Sequence, residues 1–193
     1  MGDLERNLAG ITLAPYIFKA MALIGVRGKA GGNMFRHQIA TMGILLDYKI
    51  IDPVLLKASV IHDLFEDAAG MPGVTKDAIS SIDEDGPAVY SLVMEVTMRK
   101  AKEEWEAKAD YLTRVMCSGS PKAKVLKLAD RISNLFSLGF VHDAEFVRRY
   151  LDETKTYILP YAREINPDMH REITDLIADR ENKLRARSEP PSG

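Results

Sequence analysis

Apolar and polar positions alternate along this chain with a helical period almost from end to end. Residues 11 to 24 carry a broad apolar face and predict a first helix. Gly25, Gly28, Gly31 and Gly32 then cluster in GVRGKAGG, which reads as a loop. A second helix is expected over 34 to 48. A third is expected from Asp52-Pro53, where Asp suits the N-cap and Pro the first helical position, to just before Gly70. Thr75 is placed to cap a short helix over 76 to 82, and Pro87 opens another through AVYSLVMEVTM. The segment 101 to 117 is charged at first and apolar at Tyr111, Leu112, Val115 and Met116, the pattern of an exposed amphipathic helix. Pro121 opens a helix through AKVLKLADRISNLFSL, and two more follow over about 144 to 165 and 168 to 186. No segment has sustained strand alternation with turn signals. The reading is all-α: a single domain over 1–187 and a disordered tail, 188–193, ending in SEPPSG.

Composition narrows the function classes. A formal net charge of -2, from 26 basic and 28 acidic residues, gives no electrostatic reason to expect nucleic acid as a partner. The lone Cys117 excludes an internal disulfide and a four-thiolate zinc site. No apolar run approaches the ~20 residues that span a bilayer, so no membrane partner is expected. The opening MGDLERNLAG does not read as a signal peptide, which leaves the cytoplasm as the expected compartment. A homo-oligomer is left open.

Three places carry candidate chemistry. In Ile61-His62-Asp63-Leu64-Phe65-Glu66-Asp67, helical spacing puts His62 with Glu66 and Asp63 with Asp67. Three carboxylates crowded beside Val60, Ile61, Leu64 and Phe65 repel one another, and a divalent cation would remove the conflict. Imidazole with carboxylate suits manganese, iron or zinc; the alternative is an amphipathic helix with its acids in water. In Lys127-Leu128-Ala129-Asp130-Arg131-Ile132-Ser133-Asn134, Lys127, Asp130 and Asn134 share one face of an otherwise apolar helix. Asp130 there needs a partner, and a local salt bridge to Lys127 or Arg131 would also serve. His37 is the third piece; His142 and His170 have no comparable surroundings and are read as structural.

The order His37, then His62-Asp63, then a distant Asp130 in an all-helical chain resembles the HD superfamily. Spacings of 25 residues from His37 to His62 and 67 from Asp63 to Asp130 suit separate helices converging on one site. Within it, the chain most resembles the hydrolase domain of RelA/SpoT alarmone enzymes and their small stand-alone hydrolases. These read AxLHDxxED, an EVT segment and KLADRxxNL. The strings here are Ala58 to Asp67, Glu95-Val96-Thr97, and Lys127 to Leu135, within a likeness over about 15 to 165.

The resemblance implies a compact helical HD bundle and hydrolysis of the 3′-pyrophosphate of guanosine 3′,5′-bis(pyrophosphate). It implies a divalent metal, with manganese first and iron(II), cobalt(II) or zinc as alternatives. Carried over by position, His37, His62, Asp63 and Asp130 are the metal ligands. Glu66 and Asp67 are the catalytic acidic pair, and Asn134 faces the nucleotide. Lys127 and Arg131 are candidates to offset phosphate charge.

One stretch departs from the family. Where relatives read AHxGQxRKSGEPYxxHP, this chain has Leu23 for the first His, Val26 for Gln, Gly28 for Arg and Ala30 for Ser. Gly25, Lys29, Gly31 and His37 persist, and Arg27 is the candidate replacement for the Arg. In the family this loop helps to hold guanine, so Lys29 and Arg27 are expected to bind substrate. Two further readings stay open: an HD phosphohydrolase for another nucleotide, and a degenerate HD domain that binds nucleotide without turnover.

Overall fold

The computed structural model describes residues 2–30, 32–101 and 104–188. Twelve helices are present among them: α1 Asp3–Ala9, α2 Ala14–Ala20, α3 Met34–Asp47, α4 Pro53–Ser59, α5 Leu64–Asp67, α6 Lys76–Ser80, α7 Gly86–Val96, α8 Lys108–Thr113, α9 Pro121–Leu138, α10 Ala144–Tyr157, α11 Leu159–Ile165 and α12 Pro167–Ser188. A 3₁₀ turn, Met21–Leu23, follows α2, and a π turn, Arg114–Ser118, follows α8. The one sheet among the described residues pairs β1, Lys100–Ala101, with β2, Glu104–Trp105, antiparallel. The fold is all-α, as the periodicity predicts. Apart from Ser188, the last residue of α12, the expected tail lies outside the described residues, as does Gly31 of the glycine cluster.

Helix α9 is the axis of the bundle. It packs against α3, α4, α7, α11 and α12. Leu126, Leu128, Ala129, Ile132 and Leu135 on it are fully buried. A helix covered on several sides buries its polar residues as well, and Lys127, Asp130, Arg131 and Ser133 are all buried. Its start follows the sequence: Pro121 sits in the first turn and Ser120 Oγ accepts from Ala123 N–H at 3.2 Å. Likewise Asp52 accepts from Leu55 N–H at 2.9 Å ahead of Pro53, and Thr75 accepts from Ala78 N–H at 3.2 Å.

Four expected helices are cut differently. The first is confined to α2 and its 3₁₀ turn, and α1 precedes it. The helix through the HD motif breaks at 60–63. A continuous helix would send Asp63 N–H to Ser59 C=O. Here that carbonyl accepts from His62 Nδ1 at 2.8 Å, and Asp63 N–H donates to Gln38 Oε1 at 3.3 Å. His62 and Asp63 therefore lie in the turn between α4 and α5, not on one regular helix with Glu66 and Asp67. The charged segment starts its helix only at Lys108, because Glu106 is tied to Arg99: its N–H donates to Arg99 C=O at 2.8 Å. The 144–165 helix divides at Ile158, ahead of Pro160, which has no N–H to continue it.

Candidate metal centre

Four side chains from three elements converge. His37 comes from the first turns of α3, whose N-cap Asn33 accepts from Arg36 N–H at 3.2 Å. His62 and Asp63 come from the α4–α5 turn, and Asp130 from the middle of α9. His37 Nε2 lies 3.1 Å from His62 Nε2, 3.3 Å from Asp63 Oδ2 and 3.1 Å from Asp130 Oδ1. His62 Nε2 lies 3.2 Å from Asp63 Oδ2 and 3.7 Å from Asp130 Oδ1. A metal with bonds of about 2.1 Å separates neighbouring ligand atoms by roughly 3.0 Å at right angles and roughly 3.4 Å in a tetrahedron. Four of the five edges fall between those values, and the His62–Asp130 edge, at 3.7 Å, is somewhat longer.

The donor set itself fits a cation. His62 Nδ1 donates to Ser59 C=O, which can only accept, so the neutral ring has a bare Nε2. His37 Nδ1 is 2.8 Å from Ser133 Oγ, a hydroxyl that orients the ring and can pair with either tautomer. Ligand atoms of His37, His62 and Asp130 thus lie within 4.8 Å of one another, and Asp63 Oδ2 lies against both imidazoles. Without a metal, protons serve instead. Burial opposes charge on both rings, but Asp130 and Asp63 outweigh it: His37 is raised above the ordinary range and His62 is pushed up to about 10. The same contacts overcome burial and hold Asp63 and Asp130 well below the usual carboxylate range, with Lys127 the largest attraction on Asp130.

Neighbouring side chains hold these groups in place. Gln38, fully buried, donates through Nε2 to Asp63 Oδ2 at 3.0 Å. Lys127 donates to Asp130 Oδ2 at 2.6 Å and Tyr111 OH at 2.9 Å, and Asn134 Nδ2 donates to Asp130 Oδ1 at 2.6 Å. Lys127, Asp130 and Asn134 do share one face. Lys127 is nevertheless spent on Asp130 rather than free for a phosphate. Its ammonium stays charged well above its ordinary range, because Asp130 outweighs the burial that opposes it.

Beside the cluster opens a cavity of about 430 Å³. Asp63, Asp130, Glu66, Asp67, Arg27, Lys29, Lys127, Arg131 and Asn134 all reach it. Glu66 is half-buried. Burial and the charge of Asp63 push its carboxyl up, while Met98 N–H, donating at 2.6 Å, restrains it. Asp67 stands on the exposed rim, raised by partial desolvation and by Asp63. Arg131 is 1% exposed, with its guanidinium 4.3 Å over the Tyr150 ring and Nη1 donating to Thr154 Oγ1 at 3.2 Å; its Nε has no partner.

Sequence reasoning missed Gln38, Ser133, Met98, Tyr111 and the cavity residues Lys108, Arg149 and Tyr150. Ser133 had a signal: a polar residue three positions after Asp130 on an apolar helix. Desolvation, then the like charges of Lys127 and Arg131, bring the Lys108 ammonium down, although the residue as a whole is exposed.

No family model matches the chain. It is 28% identical over 187 residues to the GTP pyrophosphokinase rsh of Brucella ovis, covering 85% of this chain and 24% of that protein. It is 27% identical over 180 residues to the GTP pyrophosphokinase of Streptomyces coelicolor, covering 82% and 20%. The chain therefore spans about a quarter or less of the length of the curated relatives it matches. Its fold matches the solved structure of a metazoan ortholog of SpoT that hydrolyses ppGpp and plays a role in starvation responses. The TM-score is 0.68 at 23% identity, over 86% of this chain and 93% of that one.

Proposed function

We propose that this chain is a metal-dependent phosphohydrolase of the RelA/SpoT hydrolase type, acting on the 3′-pyrophosphate of guanosine 3′,5′-bis(pyrophosphate). The observation that carries this reading is the convergence of His37, His62 and Asp130, with Asp63 against both imidazoles, beside a cavity that a half-buried Glu66 lines. These four would hold the ion, with manganese the first candidate. A divalent ion there lowers the pKa of water and offsets charge on a phosphate.

The chain's own groups supply the rest. Glu66 accepts the proton of the attacking water, and its raised carboxyl is suited to that task. Asp67, on the rim, orients water or substrate. Water adds to the phosphorus on the 3′ oxygen and the bond from that phosphorus to the 3′ oxygen breaks; the 3′ oxygen takes up a proton from water, Glu66 returns its own to solvent, and pyrophosphate and the 3′-hydroxyl nucleotide are released. Arg27, Lys29, Lys108, Arg131 and Arg149 line the cavity. Cations around a cavity of this size suit a substrate with phosphates at two ends. Cytoplasmic residence goes with this reading; among the described residues no helix is long and apolar enough to cross a membrane.

A second reading keeps the metal chemistry with another nucleotide. Leu23, Val26, Gly28 and Ala30 favour it, since they replace polar residues of the guanine loop. The test is manganese-dependent release of phosphate and pyrophosphate from guanosine 3′,5′-bis(pyrophosphate), GTP, GMP and NADPH. Pyrophosphate from the first alone supports the main reading. Turnover of another substrate with the first untouched overturns it in favour of the second. Metal binding without turnover of any would favour a nucleotide-binding domain.

A further inference from the structure

Glu66 takes its orientation from a main-chain group. Its Oε1 accepts from Met98 N–H, just past the end of α7, and Met98 itself has no regular helix or strand assignment. What fixes this part of the chain is a set of side chains from beyond the hairpin. Arg114 Nη1 donates to Glu95 C=O at 2.7 Å and Nη2 to Thr97 C=O at 3.0 Å. Tyr111 OH donates to Val96 C=O between them. The guanidinium is held in turn by Glu106: Nε donates to Oε1 and Nη2 to Oε2, both at 2.8 Å. Glu106 Oε2 also accepts from Arg99 N–H at 3.1 Å, and Glu106 N–H donates to Arg99 C=O. Met98 therefore sits between two anchored stretches of main chain.

Arg114 opens the π turn, a locally widened helix of the kind that recurs at functional sites. Its contacts are with the main chain, with Glu106 and with the Tyr111 ring, 5.5 Å away; it neither lines the cavity nor bonds to the metal cluster. A forked, bidentate guanidinium is suited to holding two carbonyls and a carboxylate at once, which an ammonium is not.

We infer that Arg114 is a positioning residue for Glu66, clamping residues 95–99 with Glu106 so that Met98 N–H stays aimed at the carboxylate. The inference rests on the reading above, in which Glu66 accepts the proton. A group that acts only through Glu66 has a distinctive signature. Its loss lowers kcat while KM and metal content hold, and its loss costs nothing once Glu66 is gone.

The experiment uses the full manganese-loaded chain with guanosine 3′,5′-bis(pyrophosphate). Arg114→Ala and Glu106→Gln are made alone and in the Glu66→Ala background. Arg114→Ala is expected to lower kcat about tenfold, part of the roughly 10²–10⁴-fold that a positioned base contributes. KM should stay within about twofold and bound manganese unchanged. Glu106→Gln should reproduce the loss, and neither change should lower the residual rate of Glu66→Ala. The same fold-loss in both backgrounds, or a loss confined to KM or to metal content, overturns the inference.

A second measurement needs no turnover: amide exchange at Met98 in the metal-free chain. It should quicken about tenfold or more in Arg114→Ala while a core amide such as Leu135 is unchanged. Unchanged Met98 exchange overturns the clamp. A wild-type chain inactive on every substrate refutes the functional reading instead, and the exchange result alone then decides the clamp.

Discussion

Gln38→Leu removes the side chain that holds Asp63, with little change in side-chain volume. Gln38 makes two bonds to Asp63: its amide donates to Oδ2 at 3.0 Å and its carbonyl accepts from the Asp63 N–H at 3.3 Å. The second keeps that N–H from Ser59 C=O and so maintains the helix break. Leucine removes both. A bond to a charged group contributes about 1.5–3 kcal/mol and a neutral one about 1, so stability should fall by roughly 3 kcal/mol. Freed, Asp63 N–H can return to Ser59 C=O and carry the carboxylate away from His37 and His62. Losses of 10–100-fold in metal affinity are typical for such outer groups, about 1.4–2.7 kcal/mol. Manganese titration by calorimetry, with thermal unfolding alongside, reads both quantities. A dissociation constant within about twofold of wild type would refute the role given to Gln38.

Three further outcomes follow from the same geometry. Asp63→Ala should abolish manganese binding and turnover, whereas Glu66→Ala should keep the metal and lose turnover by about 10²-fold or more; full activity in either contradicts the assignment. Lys127→Met leaves Asp130 without the ammonium at 2.6 Å and should cost about 3–5 kcal/mol in denaturant unfolding, the usual penalty for orphaning a buried charge. In the metal-free chain, His62 is raised from 6.5 to about 10, so its contribution to stability is complete below pH 6.5 and is lost as pH rises through 10. Metal replaces those protons, so the gain in Tm on adding manganese should grow from about pH 6 to about pH 8.5. A gain that shrinks over that range would count against the site.

What the sequence made legible was local. Asp52-Pro53 and Thr75 cap helices as their chemistry predicts, and Lys127, Asp130 and Asn134 meet on one face because α9 is regular. The break at 60–63 was hidden because its cause, Gln38, lies on another helix. The late start of α8 was hidden because Glu106 N–H is tied to Arg99 C=O, a contact that periodicity does not show and that outweighs the helix propensity of a charged stretch with little apolar face to bury. Lys127 and Arg131 looked alike from spacing alone. Their partners separate them: Lys127 is spent on Asp130, whereas Arg131 lies over the Tyr150 ring and donates to Thr154.

The most direct test of the metal centre is anomalous diffraction at the manganese edge from crystals grown with manganese. The account predicts one strong peak within about 2.2 Å of His37 Nε2, His62 Nε2, Asp63 Oδ2 and Asp130 Oδ1. A peak elsewhere, or none in crystals of protein that binds manganese in solution, would contradict it.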